Sequence, residues 1–208
     1  MAKVDWEGEV TAVQPRIRLN RSFDERSHSY LGFSLRIDGR VDGEPAVFWV
    51  GIGKAAQAKF QCQTGMTASG KANAVTDPRL ERDGYYKVSQ LMVAPGSAKS
   101  DTSSPPWEGV PPTLETYRSR GHRRLSTKTY EAHCDGCQWA CRMPVIMTVD
   151  RWNSQQKQYR FETFCYGPTA CSLYNAGPTR TVPGRNGIVW EERDCVDAEA
   201  TAHRAPNV

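Results

Sequence analysis

Five of the seven cysteines in this chain fall between residues 134 and 171: Cys134, Cys137, Cys141, Cys165 and Cys171. Cys62 and Cys195 stand alone. The first ten residues, MAKVDWEGEV, lack the apolar core of a secretory signal, so export is not expected. An odd, clustered set of thiols in a reducing compartment argues for metal and against a disulfide framework. Cys134 and Cys137, two residues apart, fit a tight backbone knuckle that turns both sulfurs to one point. A second pair carried to the same point closes a tetrahedral thiolate site. Gly136 and Gly167 suit the sharp turns that both knuckles need.

The text between the pairs reads as a β-hairpin, MPVIMTVD, then RWNSQQK, then QYRFETF, with Val145, Met147 and Val149 alternating against polar neighbours. Knuckle, hairpin and second cysteine pair resemble a zinc ribbon over residues 133–172, although the five residues between Cys165 and Cys171 exceed the usual spacing. The resemblance implies a structural Zn2+ on Cys134, Cys137, Cys165 and Cys171. Its binding energy would then be folding energy, ~10 kcal/mol or more. Cys141 is an alternative ligand, and His133 beside the knuckle a second choice. Four thiolates also hold a [4Fe–4S] cluster, the alternative cofactor, although this spacing matches neither common ferredoxin run. Ligation by Cys134, Cys137 and Cys141 alone would leave one iron open to substrate.

Elsewhere, 17 glycines and 13 prolines interrupt the chain too often for long helices. No apolar run approaches the ~20 residues that span a bilayer. The expected protein is mainly β, cytoplasmic and free of membrane. The stretch PGSAKSDTSSPPWEGVPP, 95–112, has no period of two or 3.6 and reads as a linker. It separates segments 1–94 and 113–208, each of small-domain size. Thirteen basic and eleven acidic residues precede residue 97 and fourteen and twelve follow it, so basic surface must come from local clustering.

In the first segment, GEVTAVQPRIRLNR, SYLGFSLRIDG and AVFWVGI are strand-like, with Pro15 expected at a bulge or bend. KAAQAKFQ favours a helix of two turns, and GMTASGKANAV and YYKVSQLMV complete five strands. Three strands, a helix and two strands resemble, over residues 4–94, the OB-fold, a five-stranded Greek-key barrel. That resemblance implies nucleic-acid binding across strands two and three, between the loops NRSFDERSHS and TDPRLERDG.

Single strands need cations for phosphates and flat side chains for bases. The candidates are Arg16, Arg18, Arg21, Phe23, Arg26, Tyr30, Arg36 and Trp49. A second set follows the linker, where Arg118, Arg120, Arg123, Arg124 and Lys128 face only one nearby acid, Glu115. Phosphate-loop, dinucleotide, nucleophile-elbow, zinc-protease and deaminase signatures are missing from the sequence. The expected function is therefore non-catalytic binding of RNA or single-stranded DNA. The alternatives are an iron–sulfur protein or enzyme, and a protein-binding subunit of a nucleoprotein assembly, its tryptophans Trp107, Trp139, Trp152 and Trp190 marking an interface.

Overall fold

Period-two alternation does in space what it announces in sequence. In the computed structural model, which describes residues 3–23, 25–96, 104–153, 155–192 and 194–204 (side chains of Asp194 and Cys195 excepted), the first segment forms five strands. They are β1 (Val4–Arg21), β2 (Arg26–Val41), β3 (Glu44–Ile52), β4 (Thr67–Ala74) and β5 (Tyr85–Ala94), with helix α1 (Lys54–Phe60) between β3 and β4. One face of these strands is buried: Val10, Ile17, Leu19, Phe33, Leu35, Ile37, Phe48, Val50 and Ile52 form the centre of the main core. Arg16, Arg18, Arg36 and Trp49 alternate with them on the other face.

β1 is long enough to pair with three strands. It runs antiparallel to β2 along nearly its whole length and antiparallel to β4 through Val4–Glu9. β2 pairs with β3, β4 with β5, and the single parallel pair Val50↔Tyr85 joins β3 to β5. The last residues of β1, Leu19–Arg21, then run parallel to β7 (Ala140–Thr148). β7 forms a hairpin with β8 (Lys157–Cys165), and β6 (Arg123–Arg124) lies on its edge. The result is one eight-stranded mixed sheet, in the order β2-β3-β5-β4-β1-β7-β8-β6. β9 (Arg180–Pro183) and β10 (Val189–Glu192) form a separate pair, and Asp194–Thr201 is a C-terminal helix.

The two segments share more than the sheet. Leu114 and Tyr117 of helix α2 (Leu114–Arg120), with Cys141, Met143, Val145, Met147, Phe164 and Tyr166, are buried in the same core as the first five strands. Of the stretch 95–112, residues 97–103 lie outside the described residues. Beyond them Trp107 packs on a second cluster and its carbonyl accepts from the Gln138 N–H at 2.9 Å. No helix among the described residues is long and apolar enough to cross a membrane.

The bulge falls beside Pro15, not at it. Pro15 pairs normally with Phe33, while the register shifts between Arg16↔Gly32 and Ile17↔Tyr30, leaving Leu31 as the extra residue. Gly32 makes this possible. Its φ of 142° disfavours a side chain, and a Cβ there would collide with the Ile52 carbonyl. Because one extra residue exchanges the two faces, Tyr30 joins the core side of the strand with Ile17. This corrects its expected place on the outward face with Ser34 and Arg36.

Candidate nucleic-acid cleft and thiol cluster

Cross-strand partners share a face, so one continuous outer surface crosses five adjacent strands. It carries Trp49 on β3, Ser34 and Arg36 on β2, and Gln14, Arg16, Arg18 and Asn20 on β1. Through Asn20↔Ile146↔Tyr159 it passes to Arg142 on β7 and to Tyr159 and Phe161 on β8. The β4–β5 loop lies across this surface, closed by Val75 N–H to Gly84 O (2.9 Å) and tied to β3 by Gly84 N–H to Trp49 O (3.0 Å). Between loop and sheet is a cleft of about 660 Å³, whose walls include Arg36, Trp49, Arg82, Tyr130, Arg142 and Phe161.

Three arginines and three rings line that cleft together with four acids, Glu81, Asp83, Glu131 and Asp135. The Arg82 guanidinium covers the Trp49 ring 3.5 Å from its centroid and stands 5.7 Å from that of Tyr130; Arg142 lies 5.2 Å from Phe161. Arg36 pairs with Asp135 at 2.7 Å, both partly exposed. Arg16 and Arg18 on β1 are engaged by the loop. Arg16 is held by Glu81 and, at 3.2 Å, by Asp83, while Arg18 donates to the Leu80 carbonyl at 3.1 Å.

At the far end of β1, Arg21 is buried against Glu192 (3.0 Å), which also holds Arg26 (2.8 Å), and Phe23 is exposed beside them. The basic run 118–128 is mostly built into the fold. Arg124 is buried on Asp197 (2.8 Å), Arg120 donates to Tyr166 O, and Arg123 donates to the carbonyls of Pro168 and Thr169. Arg118 covers the Tyr30 ring and Lys128 is exposed. Arg36 and Trp49 are thus the sequence candidates that the cleft brings together, and Tyr130, Arg142 and Phe161 join them without any local sequence signal.

Asp83 shapes the cleft floor. Its carboxyl is buried and raised from 3.8 to about 7, by burial first and then by the charge of Glu81, against the Ser34 hydrogen bond and Arg16. A native value above the unfolded one means the folded chain keeps a proton that the unfolded chain releases between about pH 4 and 7. Its contribution to stability therefore falls as pH rises through that window and is level above it. His28, lowered to about 4 by burial and then by Arg26 and Arg21, works in the opposite sense. Asp83→Asn, compared with wild type by urea unfolding across this window, is expected to remove the falling component; parallel curves would disprove it.

The thiols divide into two environments. Cys134, Cys137 and Cys165 belong to a second cluster with Leu125, Tyr130 and Ala140, flanked by Trp107, Trp139 and Tyr174. Ionising one of them, or Cys171, would oppose ionisation of its neighbours. The knuckle turns through Cys137 N–H to Cys134 O at 3.1 Å. The Gly167 N–H donates to the Cys165 sulfur at 3.4 Å, and the Trp139 and Trp107 backbone hydrogen-bonds the Cys137 sulfur. Burial first, then neighbouring cysteine charge, raises Cys134 to about 12. Among the described residues no three Cys, His, Asp or Glu side chains stand close enough to hold an ion as placed. Cys141 lies apart, in the main core, its thiol donating to the Pro15 carbonyl at 3.2 Å.

Gln14 joins knuckle and cleft. It is wholly buried on β1, and its Nε2 lies 3.0 Å from each of the carbonyls of Cys134, Asp135 and Cys137, which share its two N–H donors. Its Oε1 accepts from Arg82 at 2.5 Å and from the Tyr130 hydroxyl at 2.8 Å. The cysteine knuckle is thereby docked on the outer surface of the first segment, beside the Trp49–Arg82 stack. Comparison with known protein families, curated proteins and solved structures finds no match to this chain.

Proposed function

We propose that this chain is a non-catalytic nucleic-acid-binding protein in which an OB-type barrel, β1–β5, binds single-stranded or structured RNA or DNA, and a structural Zn2+ fastens the knuckle beside it. The cleft carries this reading: its rings and guanidinium groups, set among Glu81, Asp83, Glu131 and Asp135, lie across β1–β3 under the β4–β5 loop, as an OB-fold ligand would. A base adds to the Trp49–Arg82 stack, Phe161 offers a second ring, and Arg36 and Arg142 meet phosphates. The pairing sequence β1-β2-β3-β5-β4-β1, with α1 between β3 and β4, supports the barrel.

The thiol cluster fits zinc by its chemistry. It offers four soft sulfur donors in two pairs, and N–H groups already directed at Cys137 and Cys165 would stabilise thiolate. Cys134, Cys137, Cys165 and Cys171 would hold the ion, which would supply structure and no reaction. Cys141, engaged with Pro15 in the other core, supports the four-cysteine set over one that includes it.

Fluorescence anisotropy with labelled oligonucleotides tests the binding reading. Affinity is expected to fall steeply between about 50 and 200 mM salt as displaced counterions are restored. Trp49→Ala is expected to weaken binding by about tenfold, within the ~1–3 kcal/mol of one stacked base, without unfolding the protein. No binding, or binding indifferent to salt, would overturn the reading; an intact affinity in Trp49→Ala would remove Trp49 from the site.

A further inference from the structure

Of the four tryptophans that the sequence offers as surface markers, Trp107 and Trp139 pack on the thiol cluster and Trp190 lies under Arg21. Trp152 is different. It sits in the β7–β8 turn and is 87% exposed. A single exposed ring is ordinary on a protein surface, so its exposure alone assigns nothing. What surrounds it does.

The outer surface of the cleft does not stop at Arg142 and Phe161. Along β8 the next side chain on the same face is Tyr159, covered by the Arg79 guanidinium at 4.6 Å, itself paired with Asp77. The direction from Phe161 to Tyr159 leads to the hairpin tip, Lys157 being ~13 Å from Phe161 at the usual rise of a strand. Arg82 on Trp49, Arg142 by Phe161 and Arg79 on Tyr159 thus form three arginine–ring pairs on one face, with Trp152 beyond the last. The tip is also held in place. Asp150 accepts from the Trp152 N–H at 2.9 Å and lies 3.7 Å from Arg185, and Arg151 pairs with Glu25 at 3.0 Å. These contacts link the turn that carries the ring to Glu25 and Arg185.

We propose that the nucleic-acid track continues from the cleft along the outer face of β7–β8 and ends on Trp152, which stacks on a base of a single strand. This rests on the cleft being a nucleic-acid site. Rings and planar cations in series are the chemistry of a strand whose bases are unpaired, because a duplex hides its base faces. Exposed Lys157, beside the turn, adds charge for the backbone there.

The test uses two labelled oligothymidylates, of about four and about fifteen nucleotides, bracketing the usual site size of a single-strand groove. Trp152→Ala is expected to lower affinity for the longer probe by about tenfold and to leave the shorter one unchanged. Trp152→Phe should restore most of the loss, and the slope of affinity against salt should not move, since the ring carries no charge. Unchanged affinity for the longer probe, or an equal loss on both, would overturn the proposal. So would a change of oligomeric state in Trp152→Ala, which would make the tip a contact between copies. Wild type binding neither probe would instead end the cleft reading, and this one with it.

Discussion

Replacing Gln14 by leucine is expected to destabilise the protein by about 3 kcal/mol, read as a fall in urea midpoint at constant slope. Leucine fills nearly the same volume, so packing changes little and hydrogen bonding decides. The substitution takes the Gln14 amide from the Asp135 carbonyl and from those of Cys134 and Cys137, which keep the N–H groups of Cys137 and Ala140, and leaves Arg82 and the Tyr130 hydroxyl without this acceptor. A buried polar group stripped of its partner costs ~1–3 kcal/mol. These losses do not simply add, because the Cys134 and Cys137 carbonyls keep backbone donors and Arg82 faces the cleft and regains water. A cost below ~1 kcal/mol would show that the amide does not hold the knuckle. Oligonucleotide affinity should fall as well, since the same side chain sets Arg82 over Trp49.

Withdrawing the metal should have a still larger effect. With zinc on the four cysteines, the purified protein should release one zinc per chain to excess chelator and lose the ordered ring packing of Trp107, Trp139 and Tyr174, seen in near-ultraviolet circular dichroism. The energy at stake is on the order of 10 kcal/mol, comparable with the whole stability of a domain. Cys137→Ser should reproduce that loss. Cys141→Ser should keep the full metal content, its cost limited to exchanging a thiol for a hydroxyl on Pro15 O. A colourless protein with no zinc and unchanged ring packing would end the metal reading, whereas a brown protein rich in iron would turn it to the cluster.

The first strands were readable because β1 and β2 alternate over most of their length and polar turns bound them. Ile17 and Leu19 against Arg16 and Arg18 is a pattern that the solvent itself enforces. The bulge at Leu31 was not readable, because an extra residue in one strand is decided by its partner; its consequence, the reversal of Tyr30, was lost with it. The arginine run after the linker misled for a related reason. Charge counted along the chain says nothing of a partner 73 residues away, and Asp197 takes Arg124 out of the solvent altogether. The cysteine spacing marked out the knuckle, but nothing marks a glutamine on a strand as the group on which that knuckle rests. Arg142 and Phe161 reach the cleft because β7–β8 continues the sheet from β1, and Tyr130 because its hydroxyl is held on Gln14.

That continuation also has a meaning for the order in which the protein assembles. β1 is made before β2–β10, yet its Gln14 waits for carbonyls 120 residues further on, and its last residues wait for β7. Contacts this distant must close long loops before they return any energy, which slows folding. Until the second half arrives, the nascent first half carries one open backbone edge at Leu19–Arg21 and a buried-type amide facing water. The strand that organises the finished molecule is thus the one that stays incomplete longest during its synthesis.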